Sequence, residues 1–296
     1  MALNTAIKIV DNKLRKKLLP PPLSSRRGGA ALGAAVTAVT GTLRTEVATD
    51  AASDIGCVGA RAQAATRRAV RATVARSLSK GGSEMTRRLI IVATACQHDG
   101  DGRRAAQYTL GVQCLRNALY EAGIDDAEIV LVDGNGDRPT VLNTLAVSRV
   151  VYTNNNAMPT ANRGKKELAD VLAVLDAVGA QPDDFVVKLT ARYIVAVDSP
   201  FLEEVKKARD GAYDVVARFG SYMHPLGDGD TSGDVITGLI GATAAVVRAI
   251  REPAETQCVE WLWASAALTV PRDRIRALGQ LGAAICPQSD TYFFNV

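Results

Sequence analysis

Lys188, Thr190 and Arg192 alternate in the string Lys188-Leu189-Thr190-Ala191-Arg192. In an extended strand, alternate side chains share a face, so an ammonium, a hydroxyl and a guanidinium would stand side by side. That is a surface for phosphate, which a guanidinium grips through parallel hydrogen bonds. Two competing readings are open: an ion pair between Arg192 and a loop acid, and a Lys188 whose stem covers apolar surface while its ammonium reaches water. Glu260 precedes Trp261 and Trp263 at the start of an apolar helical run. Apolar company raises a carboxyl pKa and suits a general base, and the indoles offer faces for ring stacking where they are not core packing. Asn162, Arg163 and Lys165 open another helical run, where unpaired backbone N–H groups favour phosphate. Asn162 serving only as a helix cap is the alternative. Asp228-Gly229-Asp230, with His224 just before it, is a candidate metal-ligand string or a solvated loop. Asp99-Gly100-Asp101, beside His98, has the same form.

The elements that carry these residues can be read from hydrophobic period. Residues 89–94 form a continuous apolar run, as expected of a strand buried on both faces of a parallel sheet. Residues 104–122 place Leu110, Cys114, Leu115, Ala118 and Leu119 at helical spacing and stop at Gly123. A second strand is expected at Glu128–Asp133, a third at 148–152 leading into Asn154-Asn155-Asn156, a helix at 163–178 and a fourth strand at Phe185–Thr190. Beyond these come a helix at 200–208, a strand at 213–219, a Gly/Asp-rich loop, an apolar segment at 234–250 and a helix at 259–268. The alternation predicts an α/β fold whose mostly parallel sheet is flanked by helices, with ligands beyond the carboxyl ends of the strands. Asp133 ends the second strand, where an acid accepts from ribose hydroxyls or a base N–H; a turn-forming Asp before Gly134 is the plainer reading.

Composition divides the chain. The protein has 296 residues and a formal charge of +4, yet residues 1–84 carry 14 Lys/Arg against 5 Asp/Glu, so the remainder is net acidic. A basic, Arg/Ser/Ala-rich leader over 1–84 is expected to be disordered or an organelle-targeting segment, with Met85 as an alternative start. For 85–296 no nucleic-acid partner is expected, and a cytoplasmic location is the default. No apolar run is long enough for a membrane span. The cysteines Cys57, Cys96, Cys114, Cys258 and Cys286 are scattered and suggest neither disulfides nor zinc. No G-x-G-x-x-G follows the first strand and no G-x-x-x-x-G-K-[S/T] occurs, which disfavours nicotinamide oxidoreductases and P-loop NTPases.

The run from Glu128 to Asp137, ending Asp133-Gly134-Asn135-Gly136-Asp137, resembles the second-strand signature of family-two glycosyltransferases, where an apolar strand ends in Asp-Asp-Gly-Ser and a further Asp. Asn154-Asn155-Asn156 followed by Asn162-Arg163-Gly164 is similar to that family's asparagine-and-glycine segment beside the nucleotide. Asp184 to Tyr193 occupies the place of the strand that in the family ends in a metal-binding Asp-x-Asp. Lys188-Leu189-Thr190-Ala191-Arg192-Tyr193 also resembles a Lys-Leu-Thr-Gly-Arg-Tyr string of uncharacterised glycosyltransferase-like proteins of large viruses and algae, and the later Thr237-Gly238-Leu239-Ile240-Gly241 and Glu260 resemble a glycine-flanked strand and a helix-opening acid of those same proteins. The resemblance implies a GT-A-like nucleotide-diphospho-sugar transferase fold over 85–296. It implies sugar transfer, with inversion, from a nucleotide-sugar donor to the hydroxyl of a glycan, lipid or protein. Glu260 would be the catalytic base, and Asp133, Asn154, Asn156, Asn162, Arg163, Lys165, Lys188, Thr190, Arg192 and Trp261 would bind substrate. Thr190-Ala191-Arg192 departs from Asp-x-Asp, so no metal is favoured and Arg192 would supply the positive charge; Mn²⁺ or Mg²⁺ on Asp228, Asp230 and His224 is the alternative. A sugar-phosphate nucleotidyltransferase and a non-catalytic nucleotide-sugar-binding module are the runner-up functions.

Overall fold

A computed structural model describes residues 86–96, 102–221 and 226–284. The expected leader at 1–84, and His98, Asp99, Asp101 and His224, lie outside the described residues. The chain order is β1 (Leu89–Ala95), α1 (Gly102–Glu121), β2 (Glu128–Asp133), β3 (Arg149–Tyr152), α2 (Arg163–Ala177), β4 (Phe185–Thr190), β5 (Ile194–Val195) and α3 (Pro200–Arg209). It continues through β6 (Val215–Ala217), β7 (Leu239–Thr243), α4 (Ala244–Arg248), α5 (Val259–Ala267), β8 (Ile275–Ala277) and β9 (Ala283–Ala284).

Seven strands form one sheet in the order β3-β2-β1-β4-β7-β6-β8. The β1–β2, β2–β3, β1–β4 and β6–β8 pairings are parallel, and β7 runs antiparallel to both its neighbours. The α/β class and mostly parallel sheet expected from the sequence are therefore what the chain forms. Every residue of β1 is buried, as its apolar run requires. Its side chains alternate between two cores. Leu89 and Ile91 pack with Leu115 and Leu119 of α1 and Phe201 and Val205 of α3. Ile90 and Val92 pack with Val171 and Leu175 of α2 and with Val247 of α4 and Leu262 of α5. Each such fully buried aliphatic side chain contributes about 1.5–3 kcal/mol relative to exposure.

The chain leaves β1 toward β2 and β3 on one side, then crosses back to place β4 on the other. The carboxyl ends of β1 and β4 thus flank a topological switch point, where helices approach from opposite faces and leave a crevice. The amino edge is locked instead: Asp214, just before β6, pairs with Arg87 before β1 at 2.8 Å and with Arg274 before β8 at 2.7 Å.

The structure departs from the expected elements where strands are short. The strand expected at 213–219 is regular only at Val215–Ala217, with one further bridge from Phe219 to Val235. The apolar segment at 234–250 resolves into antiparallel β7 and the short α4, and β5, β8 and β9 had no counterpart in the reading. Two- and three-residue strands are too brief to leave a detectable period. No helix among the described residues is long and apolar enough to cross a membrane.

Candidate functional site

At the switch point the register sets Thr94 of β1 opposite Thr190 of β4, and Val92 opposite Lys188. Alternation points Thr94, Lys188 and Thr190 to the α2 face. Glu167, in the second turn of α2, meets them there. Its Oε1 accepts from Lys188 Nζ at 2.8 Å, Thr94 Oγ1 at 2.6 Å and Thr190 Oγ1 at 3.3 Å. Lys188 Nζ also donates to Thr190 Oγ1 at 3.3 Å. Lys188 is 2% exposed, so its ammonium is neither in water nor facing an open surface; it is a buried cation matched by one carboxylate. Burial by itself would raise the Glu167 pKa. The Lys188 charge and the hydrogen bonds from Lys188, Thr94 and Thr190 outweigh it and hold the carboxyl below the usual glutamate range.

Arg192 follows two residues after β4 and is 8% exposed. Its charge reaches Tyr108 of α1, whose pKa burial raises and whose contacts with Cys96, Arg104 and Arg192 pull part of the way back. The Tyr108 hydroxyl accepts from Cys96 N at 2.9 Å, so the end of β1, the start of α1 and Arg192 form one neighbourhood. Gly111 permits this: a Cβ there would stand 2.0 Å from the Ala191 carbonyl oxygen.

The ends of β2 and β3 form a second polar group. Asp133 is fully buried, and its Oδ1 accepts from Asn135 N at 3.3 Å, the turn geometry that an Asp at a strand end supplies. Asn156 Nδ2 donates to Asn135 Oδ1 at 2.6 Å, tying the two loops together. Asn154 precedes a short 3₁₀ turn without capping it by its side chain. Asp170 of α2 accepts from the Thr153 hydroxyl and from Asn155 Nδ2 at 2.8 Å. Its pKa is raised, first by burial, with Glu167 and Asp133 adding like charge against the hydrogen bonds of Thr153 and Asn155.

Asn162 caps α2, its side chain accepting from Lys165 N at 3.2 Å, and its Nδ2 donates to Ala254 O at 2.8 Å and Gln257 O at 3.0 Å. Lys165 pairs with Glu252 at 2.8 Å and Lys166 donates to Asn156 O at 2.7 Å, while Arg163 is exposed. These side chains brace the loops around the helix start. Glu260 lies in the first turn of α5, accepting from Cys258 Sγ at 2.9 Å and from Thr237 Oγ1 at 3.4 Å. Thr237 and Glu167 line one closed packing gap with Gly164, Lys188 and Trp263, too tight to admit a water molecule, and Glu260 reaches that gap only through its hydrogen bond from Thr237. Trp263 is core, whereas Trp261 is 54% exposed beside Glu260.

The alternative metal string is engaged in turns. Asp228 Oδ1 accepts from Gly279 N at 2.6 Å and Asp230 Oδ1 from Ser232 N at 2.8 Å, the latter bond holding the Asp230 pKa below its usual value. Among the described residues no group of three His, Cys, Asp or Glu side chains is placed to hold a metal ion. The donors at the end of β4, a hydroxyl and a guanidinium, do not suit a divalent cation. The structure brings Lys188 and Thr190 together on the α2 face, whereas β4 stops at Thr190 and Arg192 lies toward Tyr108 of α1 instead of beside them; Glu167, Thr94 and Asp170 were not among the expected site residues. An acid within the Leu168–Val171 apolar stripe of α2 was the available signal for Asp170.

No family model matches the chain, and no curated protein matches it. Among solved structures it is similar to a mannosyltransferase from Pyrobaculum calidifontis in complex with GDP-Man and Mn²⁺, at 14% identity and a TM-score of 0.43 over 76% of this chain. The chain spans 65% of the length of that protein. It is also similar to a protein from Desulfovibrio desulfuricans G20 described as a nucleotide-diphospho-sugar transferase, at 18% identity and a TM-score of 0.35 over 67% of this chain and 79% of the other.

Proposed function

We propose that residues 85–296 bind a nucleotide-sugar and transfer its sugar to an acceptor hydroxyl, with Arg192 on the diphosphate and Glu260 as base. The observation that carries this reading is the switch-point edge. There Arg192 stands beside the ends of β1 and β4, and Glu260 accepts from Thr237, which packs against the Glu167–Lys188 pair. The nucleoside lies over the β2 and β3 ends, where the turn at Asp133 presents Asn135 and Asn156. In the transfer, Glu260 takes the acceptor proton as the acceptor oxygen bonds to the anomeric carbon, and the bond from that carbon to the diphosphate oxygen breaks. Charge that develops on the leaving diphosphate falls to Arg192, through bidentate hydrogen bonds. Exposed Trp261 offers the acceptor an apolar ring face.

Arg192→Ala is expected to weaken nucleoside-diphosphate binding by about tenfold or more, measured by calorimetry. Glu260→Gln keeps that affinity and loses turnover, read as release of nucleoside diphosphate from the nucleotide-sugar. Unchanged affinity in Arg192→Ala sinks the diphosphate assignment. A second reading, a binding module without turnover, is favoured by Thr190-Ala191-Arg192 standing where an acidic pair would; wild-type binding with no release of nucleoside diphosphate would select it.

A further inference from the structure

We infer that Glu167 is a ligand-binding residue, whose outward carboxylate oxygen accepts hydrogen bonds from a pair of adjacent hydroxyls on the nucleotide-sugar. This rests on the sugar-transfer reading above and assigns Glu167 a part in it. The carboxylate is asymmetric in its surroundings. Oε1 holds three donors, from Lys188, Thr94 and Thr190. Oε2 takes no hydrogen bond from the described residues, and the side chain keeps 31% of its exposure while Lys188 keeps 2%. A carboxylate serving only as counter-ion to a buried lysine would gain from being covered, because water and salt screen an exposed pair.

Its location narrows the ligand group. Thr94 and Thr190 are the last polar side chains of β1 and β4, so Glu167 stands on the switch-point edge where a ligand is expected. A carboxylate clamped by an ammonium and two hydroxyls stays ionised, as the lowered Glu167 pKa indicates. An ionised, pre-oriented acceptor repels phosphate and seeks O–H or N–H donors. Adjacent hydroxyls, on the ribose or on the transferred sugar, are the donor group that a nucleotide-sugar offers in quantity. The contrast with Asp170, one turn further along α2, supports the assignment. That carboxyl is 6% exposed and spends its bonds on Thr153 and Asn155, holding a loop.

The test compares the full-length wild type with Glu167→Gln in equilibrium binding to UDP, dUDP, UDP-glucose, GDP, dGDP and GDP-mannose. If the ribose supplies the hydroxyls, wild type prefers UDP to dUDP, or GDP to dGDP, by about tenfold and the variant loses that preference. If the transferred sugar supplies them, the preference of wild type for the nucleotide-sugar over its nucleoside diphosphate collapses instead. Equal losses across all ligands, or no loss, overturn the inference and leave Glu167 a counter-ion. Should Glu167→Gln fail to fold, the paired Glu167→Leu/Lys188→Met variant removes both charges, and its loss of the same preference carries the same weight. A wild type that binds none of the six overturns this inference for uridine and guanosine donors, whereas the sugar-transfer reading itself falls only if CMP- and dTDP-sugars fail to bind as well.

Discussion

Glu167 and Asp170 share one helix, yet their surroundings drive their carboxyl groups in opposite directions. For Glu167 the folded pKa is lowered, so the stability it contributes is whole above the ordinary glutamate value and is lost as pH falls through the folded value. For Asp170 the folded pKa is raised, so its contribution is whole below the ordinary aspartate value and is lost as pH rises through the folded one. Melting temperature followed from about pH 3 to pH 7 should therefore fall less steeply in acid for Glu167→Gln than for wild type, whereas Asp170→Asn should remove a loss that sets in as pH rises. Identical acid limbs in wild type and Glu167→Gln would contradict the lowered pKa. Glu167→Ala strands the Lys188 ammonium and should cost about 3–5 kcal/mol by urea denaturation. The shared face of Lys188 and Thr190 was legible from alternation alone. Their partner was not, because Glu167 arrives from a helix across the sheet and no local spacing announces that meeting.

The long, fully buried strands and the helices between them were legible nearly to the residue: β2 and β4 coincide with the apolar runs that predicted them. The antiparallel direction of β7 was not, since strand direction depends on what a short connection permits and not on period. Glycines show how closely these elements approach at the site. A Cβ on Gly238, just before β7, would lie 2.0 Å from the Tyr193 ring, and one on Gly111 would meet the Ala191 carbonyl. Gly238→Ala should destabilise by about 1–3 kcal/mol in chemical denaturation. Gly111→Ala should in addition lower nucleoside-diphosphate affinity, because it displaces the backbone that leads into Arg192; a variant with wild-type affinity would detach α1 from the site. Of the predicted site residues, Asn162 and Lys165 turn out to brace loops, a role that depends on the 252–257 segment folding back onto α2.

Across the whole molecule, one topological event sets the candidate site: the chain crosses from β3 over β2 and β1 to β4, so the carboxyl ends of β1 and β4 meet at a switch point. The amino edge, closed by Asp214, Arg87 and Arg274, serves stability. The residues after 84 are net acidic, so the proposed function requires specific cations, and not a general positive field, to hold a diphosphate. The most direct measurement is therefore thermal stabilisation of the full chain by UDP-, GDP-, CMP- and dTDP-sugars, with and without Mn²⁺, since a ligand that binds the native state raises its melting temperature. A shift with one nucleotide class in the absence of metal is the predicted result. A shift that requires Mn²⁺ would contradict the assignment of the diphosphate to Arg192, and no shift with any nucleotide-sugar would contradict sugar transfer.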